Sequence, residues 1–99
     1  MTIRGCKKKL DKLIEEATNI RMSVLSFDNV DMFAEIESSR LEPFKKNVLE
    51  FIKEITDDKE YIKFFANIGP YEYCIQDVQK KLVEIKNAIE LIEILKFDN

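Results

Sequence analysis

Carboxylates are the residues of this chain whose spacing could support chemistry. Glu50 and Glu54 are four positions apart, and Glu54 and Asp57 are three apart. Glu90 and Glu93, near the other end of the chain, are also three apart. On a helix, each pair would lie on one face, where two carboxylates could bridge a divalent metal ion.

No complete catalytic or metal-binding motif accompanies these carboxylates. The chain has no histidine, which removes the commonest general base and the E-x-x-H ligands of di-iron bundles. Residues 54–57 (EITD) match the E-x-x-D half of the magnesium motif of all-helical nucleotide pyrophosphohydrolases, but no E-x-x-E precedes them. Gly5 and Gly69 are too far apart to form a glycine-rich phosphate-binding loop. We therefore expect solvated carboxylates, no enzyme activity, no catalytic residue, no cofactor and no metal.

The amino-terminal turn is the second charged feature of the chain. Residues 1–12 carry five basic residues against one acid, a local charge of +4. Lysines bind phosphates as point charges, so a nucleic-acid-associated regulator is the alternative function. However, no base-reading set of arginine, asparagine or glutamine accompanies them, and the net charge of the chain is −3. We expect a solvated terminus and no nucleic acid partner.

Two seams of apolar residues predict the helices that position everything else. In residues 70–97 the apolar side chains recur at spacings of three and four, which predicts one long helix. The charges at Lys86, Glu90 and Glu93 interrupt this stretch and argue against a membrane span. The same spacing near the start of the chain predicts a first helix over about 6–25. The long-helix seam consists of Ile75, Val78, Leu82, Ile85, Ile89 and Ile92, and the first-helix seam of Cys6, Leu10, Leu13, Ala17, Ile20 and Val24.

The middle of the chain has a helical pattern that is interrupted by Pro43. A proline inside a helix removes a hydrogen bond, so we predict helix 2a over 29–39 and helix 2b over 40–56, either bent or nearly continuous. Ser39 and Glu42 have the spacing of a capping box for the second part. Asp57, with Glu60, is expected to cap a short helix over 58–67.

These elements predict an all-α, up-and-down helical bundle in a single domain over 1–99. It has three long helices, the second kinked or split near Pro43, plus one short helix. If the short helix crosses one end of the bundle, the last helix runs beside the first with Cys6 and Cys74 at the same end. Both cysteines are expected to be reduced in a cytoplasmic protein, because no apolar signal-peptide region follows the basic start.

Two groups of apolar side chains are candidates for partner binding. Five aromatic residues fall within 61–73, and they either plug one end of the core or form a binding hot spot. Leu91 and Ile94 lie well round the long helix from its seam, so they are covered by the same chain, a second copy or a different partner. We predict a non-enzymatic adaptor, inhibitor or immunity-type module that binds a protein partner, with a homodimer as one form. The predicted partner-binding residues are Tyr61, Phe65, Tyr71, Tyr73, Leu91 and Ile94.

Overall fold

The chain folds into an all-α bundle, as its sequence predicts. The computed structural model describes residues 2–24 and 34–97, and for 93–97 it describes the backbone alone. The described residues form four helices: α1 (Ile3–Val24), α2 (Ser38–Ile55), α3 (Lys59–Ala66) and α4 (Glu72–Phe97). Within these residues, none of the helices combines the length and the apolar character that a membrane span requires.

The core contains most of the α1 seam and the first half of the α4 seam, Ile75, Val78 and Leu82. All five α1 residues from Cys6 to Ile20 in the predicted seam are buried, and Leu10 and Ala17 are fully so. Burial of an aliphatic side chain contributes about 1.5–3 kcal/mol, so these faces provide the main stabilisation of the bundle. Helices α2 and α3 complete the core with Leu41, Phe44, Val48, Phe51, Ile52 and Phe65.

Helices α1 and α4 are antiparallel, which contradicts the predicted direction of the last helix. Asp11 in the first half of α1 forms an ion pair with Lys86 in the second half of α4, with 2.6 Å between Asp11 Oδ1 and Lys86 Nζ. The reason is that α3 runs along the bundle instead of crossing its end, because burial of Phe65 and Ile68 holds it against the core. This additional pass of the chain reverses the direction in which α4 begins.

The second helix is continuous through Pro43, and the predicted helix 2a is wrong over 34–37, whereas its last residues, 38–39, begin α2. Residues 25–33 lie outside the described part of the chain, but 34–37 are extended, and α2 begins at Ser38. The Ile36 N–H donates to the Pro70 carbonyl oxygen (2.8 Å), which gives residues 34–37 a backbone partner far along the chain. Pro43 is exposed, so water can reach the Ser39 carbonyl that loses its helical partner.

The start of α3 is capped by a different aspartate from the one predicted. The Asp58 carboxylate accepts hydrogen bonds from the Glu60 and Tyr61 backbone N–H groups, at 3.0 and 3.4 Å. Asp57 lies one residue too early for this geometry. An aspartate at the N-cap satisfies backbone donors that have no helical partner, and it typically contributes about 1 kcal/mol.

A partly buried polar network fixes the register of α4 against α1. Arg21 Nε donates to Glu72 Oε1 and Arg21 Nη1 donates to Gln79 Oε1, each over 2.7 Å. Gln79 Nε2 in turn donates to the Thr18 hydroxyl oxygen (2.6 Å) and to the Ile14 carbonyl oxygen (3.1 Å). Glu72 is the one charged residue of the described chain that is buried, and Arg21 supplies its counter-charge.

Candidate protein-binding surface

The two ends of the bundle differ in how completely they are closed. At one end, which we call the bridged end, the backbone of 34–36 pairs with that of 70–72 beside the start of α4. At the other end α1 begins, α2 ends and α3 begins, and we call it the open end. There the connection between α2 and α3 lies beside Ile85, Ala88 and Ile89. The eight residues after Ile89 extend α4 about 12 Å beyond this connection.

The seam of α4 is therefore covered along only part of its length. Ile75, Val78 and Leu82 are buried, Ile85 and Ile89 are half-buried, and Ile92 is 54% exposed. Ile92 lies one helical turn beyond Ile89, the last residue of α4 that shares a cleft with the connection between α2 and α3. Leu91, on the outer side of the helix, is 57% exposed.

Two apolar clefts meet at the open end. The larger, about 480 Å³, lies between α4 and the start of α3, and its lining includes Tyr61, Ile85 and Ala88. The smaller, about 270 Å³, lies beside the start of α1 and includes Ile3. Cys6, Ile55 and Ile89 line both, so the clefts form a continuous apolar surface. We call this surface, together with Ile92, the open-end groove.

The structure divides the predicted partner-binding residues between the two ends. Tyr61 is half-buried and lines the open-end groove, whereas Tyr71 and Tyr73 stack at the bridged end with ring centroids 5.8 Å apart. Phe65 is only 1% exposed and belongs to the core, so the prediction that it binds a partner conflicts with its burial. Leu91 is exposed, and the side chain of Ile94 lies outside the described part of the structure.

Several groove residues are not among those that the sequence analysis selects. Ile55, Ala88, Ile89 and Ile92 have the spacing of ordinary core positions, and their sequence does not distinguish them from the buried seam. The signal that could have found Ile92 is the length of α4 compared with the lengths of its neighbours. Helix α4 has 26 residues, whereas α2 has 18 and α3 has 8, so the end of α4 extends past the connection between them.

The carboxylates of the predicted pairs lie mostly at the surface: Asp57 is exposed, Glu90 is half-buried, and the side chain of Glu93 lies outside the described part of the structure. Glu50 and Glu54 are exposed, and Glu54 forms a 3.1 Å ion pair with Lys9, one of the basic residues near the start of the chain. Asp57 follows the end of α2, so it does not share a helix face with Glu54. In the described residues, no group of three or more cysteine, aspartate or glutamate side chains could hold a metal ion.

The two cysteines lie at opposite ends of the bundle, contrary to the prediction. Cys6 lines the groove with Ile89, and Cys74 lies fifteen residues earlier in α4, about 22 Å away along the helix axis. Both are free thiols. Burial raises the pKa of the Cys6 thiol, and a hydrogen bond with Cys74 is the main cause that raises the pKa of the Tyr73 phenol.

Comparisons with known proteins find no relative of this chain. No family model, no curated protein and no solved structure matches the chain.

Proposed function

We propose that this protein is a non-enzymatic binding module, of the adaptor, inhibitor or immunity type, that acts in the cytoplasm by contacting another protein at its open end. The observation that carries the proposal is the apolar open-end groove, in which Ile92 is exposed three residues after the lining residue Ile89, on the same face of α4. Single exposed aliphatic side chains are common on protein surfaces, but a continuous apolar surface is typical of an interaction site.

A second copy of the chain is the simplest partner for the outer side of α4. Leu91 is exposed there, and the backbone positions of Leu91 and Ile94 lie on the same part of the helix. A two-fold axis would place the same apolar patch on both subunits. In sedimentation equilibrium, we expect a dimer that Leu91→Lys with Ile94→Lys converts into a folded monomer. Monomeric wild-type protein at about 100 μM would exclude this form of association.

The proposal for the groove is tested by comparing proteins captured by three variants. Ala88 is exposed and lines the larger cleft, so Ala88→Trp should fill the groove without disturbing the core. Ala66→Trp makes the same change at the exposed end of α3 and is the matched control. We expect a partner from the native cells that binds wild-type protein and the Ala66→Trp variant equally but is lost from the Ala88→Trp variant. Equal capture by all three proteins would show that the groove is not the binding site.

Nucleic acid binding through the start of α1 is the second candidate. Arg4, Lys8 and Lys12 are exposed and four residues apart, which places them along one stripe of the helix. Asp11 and Glu15 are also exposed near that stripe and reduce its positive potential. The assay is fluorescence anisotropy with DNA and RNA at low salt. This candidate requires an affinity that falls steeply with salt and is lost on Arg4→Glu, Lys8→Glu and Lys12→Glu.

A further inference from the structure

The residues that line the open-end groove include three carboxylates, which we call its rim, and no lysine or arginine, although the basic start of α1 lies at the same end of the bundle. Glu84 and Asp58 line the larger cleft, Glu54 lines the smaller one, and no lysine or arginine lines either. Glu54 and Glu84 form ion pairs with Lys9 and Lys81, at 3.1 and 3.5 Å. Each side chain in these pairs is between 44% and 59% exposed, and exposed pairs contribute little stability. Both carboxylates are therefore accessible to an incoming cation.

The shape of the groove suits a helix better than a small enclosed ligand. Along α4 the lining of the cleft extends from Glu84 to Ile89, and Ile92 follows three residues later on the same helix face, so the groove is about 12 Å long or slightly more than two helical turns. Ala88 lies midway along this length, and its small side chain allows a second helix to approach the backbone of α4. The neighbouring aliphatic side chains Ile85 and Ile89 provide contacts for apolar residues spaced three or four apart.

We propose that the open-end groove binds an amphipathic helix of another protein whose apolar face is flanked by lysine or arginine. This inference rests on the proposed function and names the chemistry of the partner. The carboxylates of the rim would attract the basic flanks, and the groove would bury the apolar face. The end of α4 in a second copy fits this rim poorly, because residues 90–99 carry three acids against one base.

The experiment measures binding of two synthetic helices by fluorescence anisotropy. The probes are peptides of about 15 residues with the same leucine face, one with lysine flanks and the other with glutamate flanks. We expect the lysine peptide to bind at least tenfold more tightly than the glutamate peptide, and we expect its affinity to fall as salt increases.

A pair of charge reversals separates the rim from the net charge of the protein. Glu84→Lys should weaken binding of the lysine peptide about tenfold, because it reverses one rim charge. Glu42→Lys is the matched control, since Glu42 also pairs with a lysine three residues away on an exposed helix face, at the bridged end. We expect the control to bind within about twofold of wild type.

The outcomes distinguish this inference from the proposed function. Equal affinities for the two peptides, or equal losses in the Glu84→Lys and Glu42→Lys variants, would overturn the basic helix. If Ala88→Trp still abolished partner capture in that case, the groove would remain a protein-binding site of different chemistry. Sedimentation equilibrium of the same samples measures the oligomeric state, which shows whether a second copy of the chain occupies the groove. A wild-type dimer that Ala88→Trp dissociates would also overturn the basic helix.

Discussion

The ion pair between Arg21 and Glu72 gives the sharpest prediction about stability. The Glu72 side chain is 3% exposed and that of Arg21 is 27% exposed. Breaking a fully buried pair typically costs about 3–5 kcal/mol, because one charge loses both water and partner. Arg21→Met leaves the buried carboxylate without its cation, so we expect a loss of about 3 kcal/mol in the free energy of unfolding. Glu72→Gln should cost only about 1–2 kcal/mol, because an amide oxygen still accepts from Arg21 and the guanidinium is partly hydrated.

Chemical denaturation followed by far-ultraviolet circular dichroism measures these losses in a double-mutant cycle. The double variant should lose about 1–2 kcal/mol less than the sum of the two single variants, because the charges are removed together. The exposed pair of Lys9 with Glu54 is the control, and its cycle should give a coupling below about 1 kcal/mol. Additive losses for Arg21 and Glu72, within about 0.5 kcal/mol, would refute the reasoning, because they would mean that both charges are solvated.

Three further predictions concern the core, a close approach and the cysteines. Leu82→Ala should lower the free energy of unfolding by about 2–5 kcal/mol, because the Leu82 side chain is fully buried. Ile92→Ala should lower it by less than about 1 kcal/mol, because Ile92 is exposed. Similar losses for the two variants in chemical denaturation would contradict the exposure of the end of α4. Gly69→Ala should destabilise the fold by about 1–2 kcal/mol, because its new Cβ would lie 2.7 Å from Cys74 Sγ, and Cys74→Ala should relieve most of that loss. In native protein Cys74 should be alkylated faster than Cys6, whose thiol is buried and has a raised pKa, and mass spectrometry after mild oxidation should find no disulfide within the chain.

The sequence predicts the helices and their buried faces well because these depend on local spacing. The apolar residues of α1 recur at three and four positions, and the same residues are buried in the structure. The spacing does not determine the direction in which a helix runs through the bundle. An eight-residue helix such as α3 can cross one end of the bundle or run along it while burying the same apolar face. The choice depends on where Phe65 and Ile68 find their partners, and it decides that α1 and α4 are antiparallel.

Long-range backbone pairing accounts for the other error in the fold. Ala34 and Ile36 continue an apolar pattern that suits a helix, but their backbone groups bond to Glu72 and Pro70. No local rule identifies a partner so distant in the sequence.

The candidate site could be predicted only in part for a related reason. Whether Ile92 is core or surface depends on where α2 ends beside α4, which only the assembled bundle decides.

Photochemical crosslinking in the native cells tests the central claim, that the open end binds another protein. The photoreactive residue p-benzoylphenylalanine replaces Ile92 in one variant and the exposed Ala66 in another. Both positions are exposed in the isolated chain, but only position 92 continues the open-end groove. The account predicts a discrete, heavier crosslinked species from position 92 and none from position 66. Absence of a crosslinked species at position 92, or the same species at both positions, would contradict it.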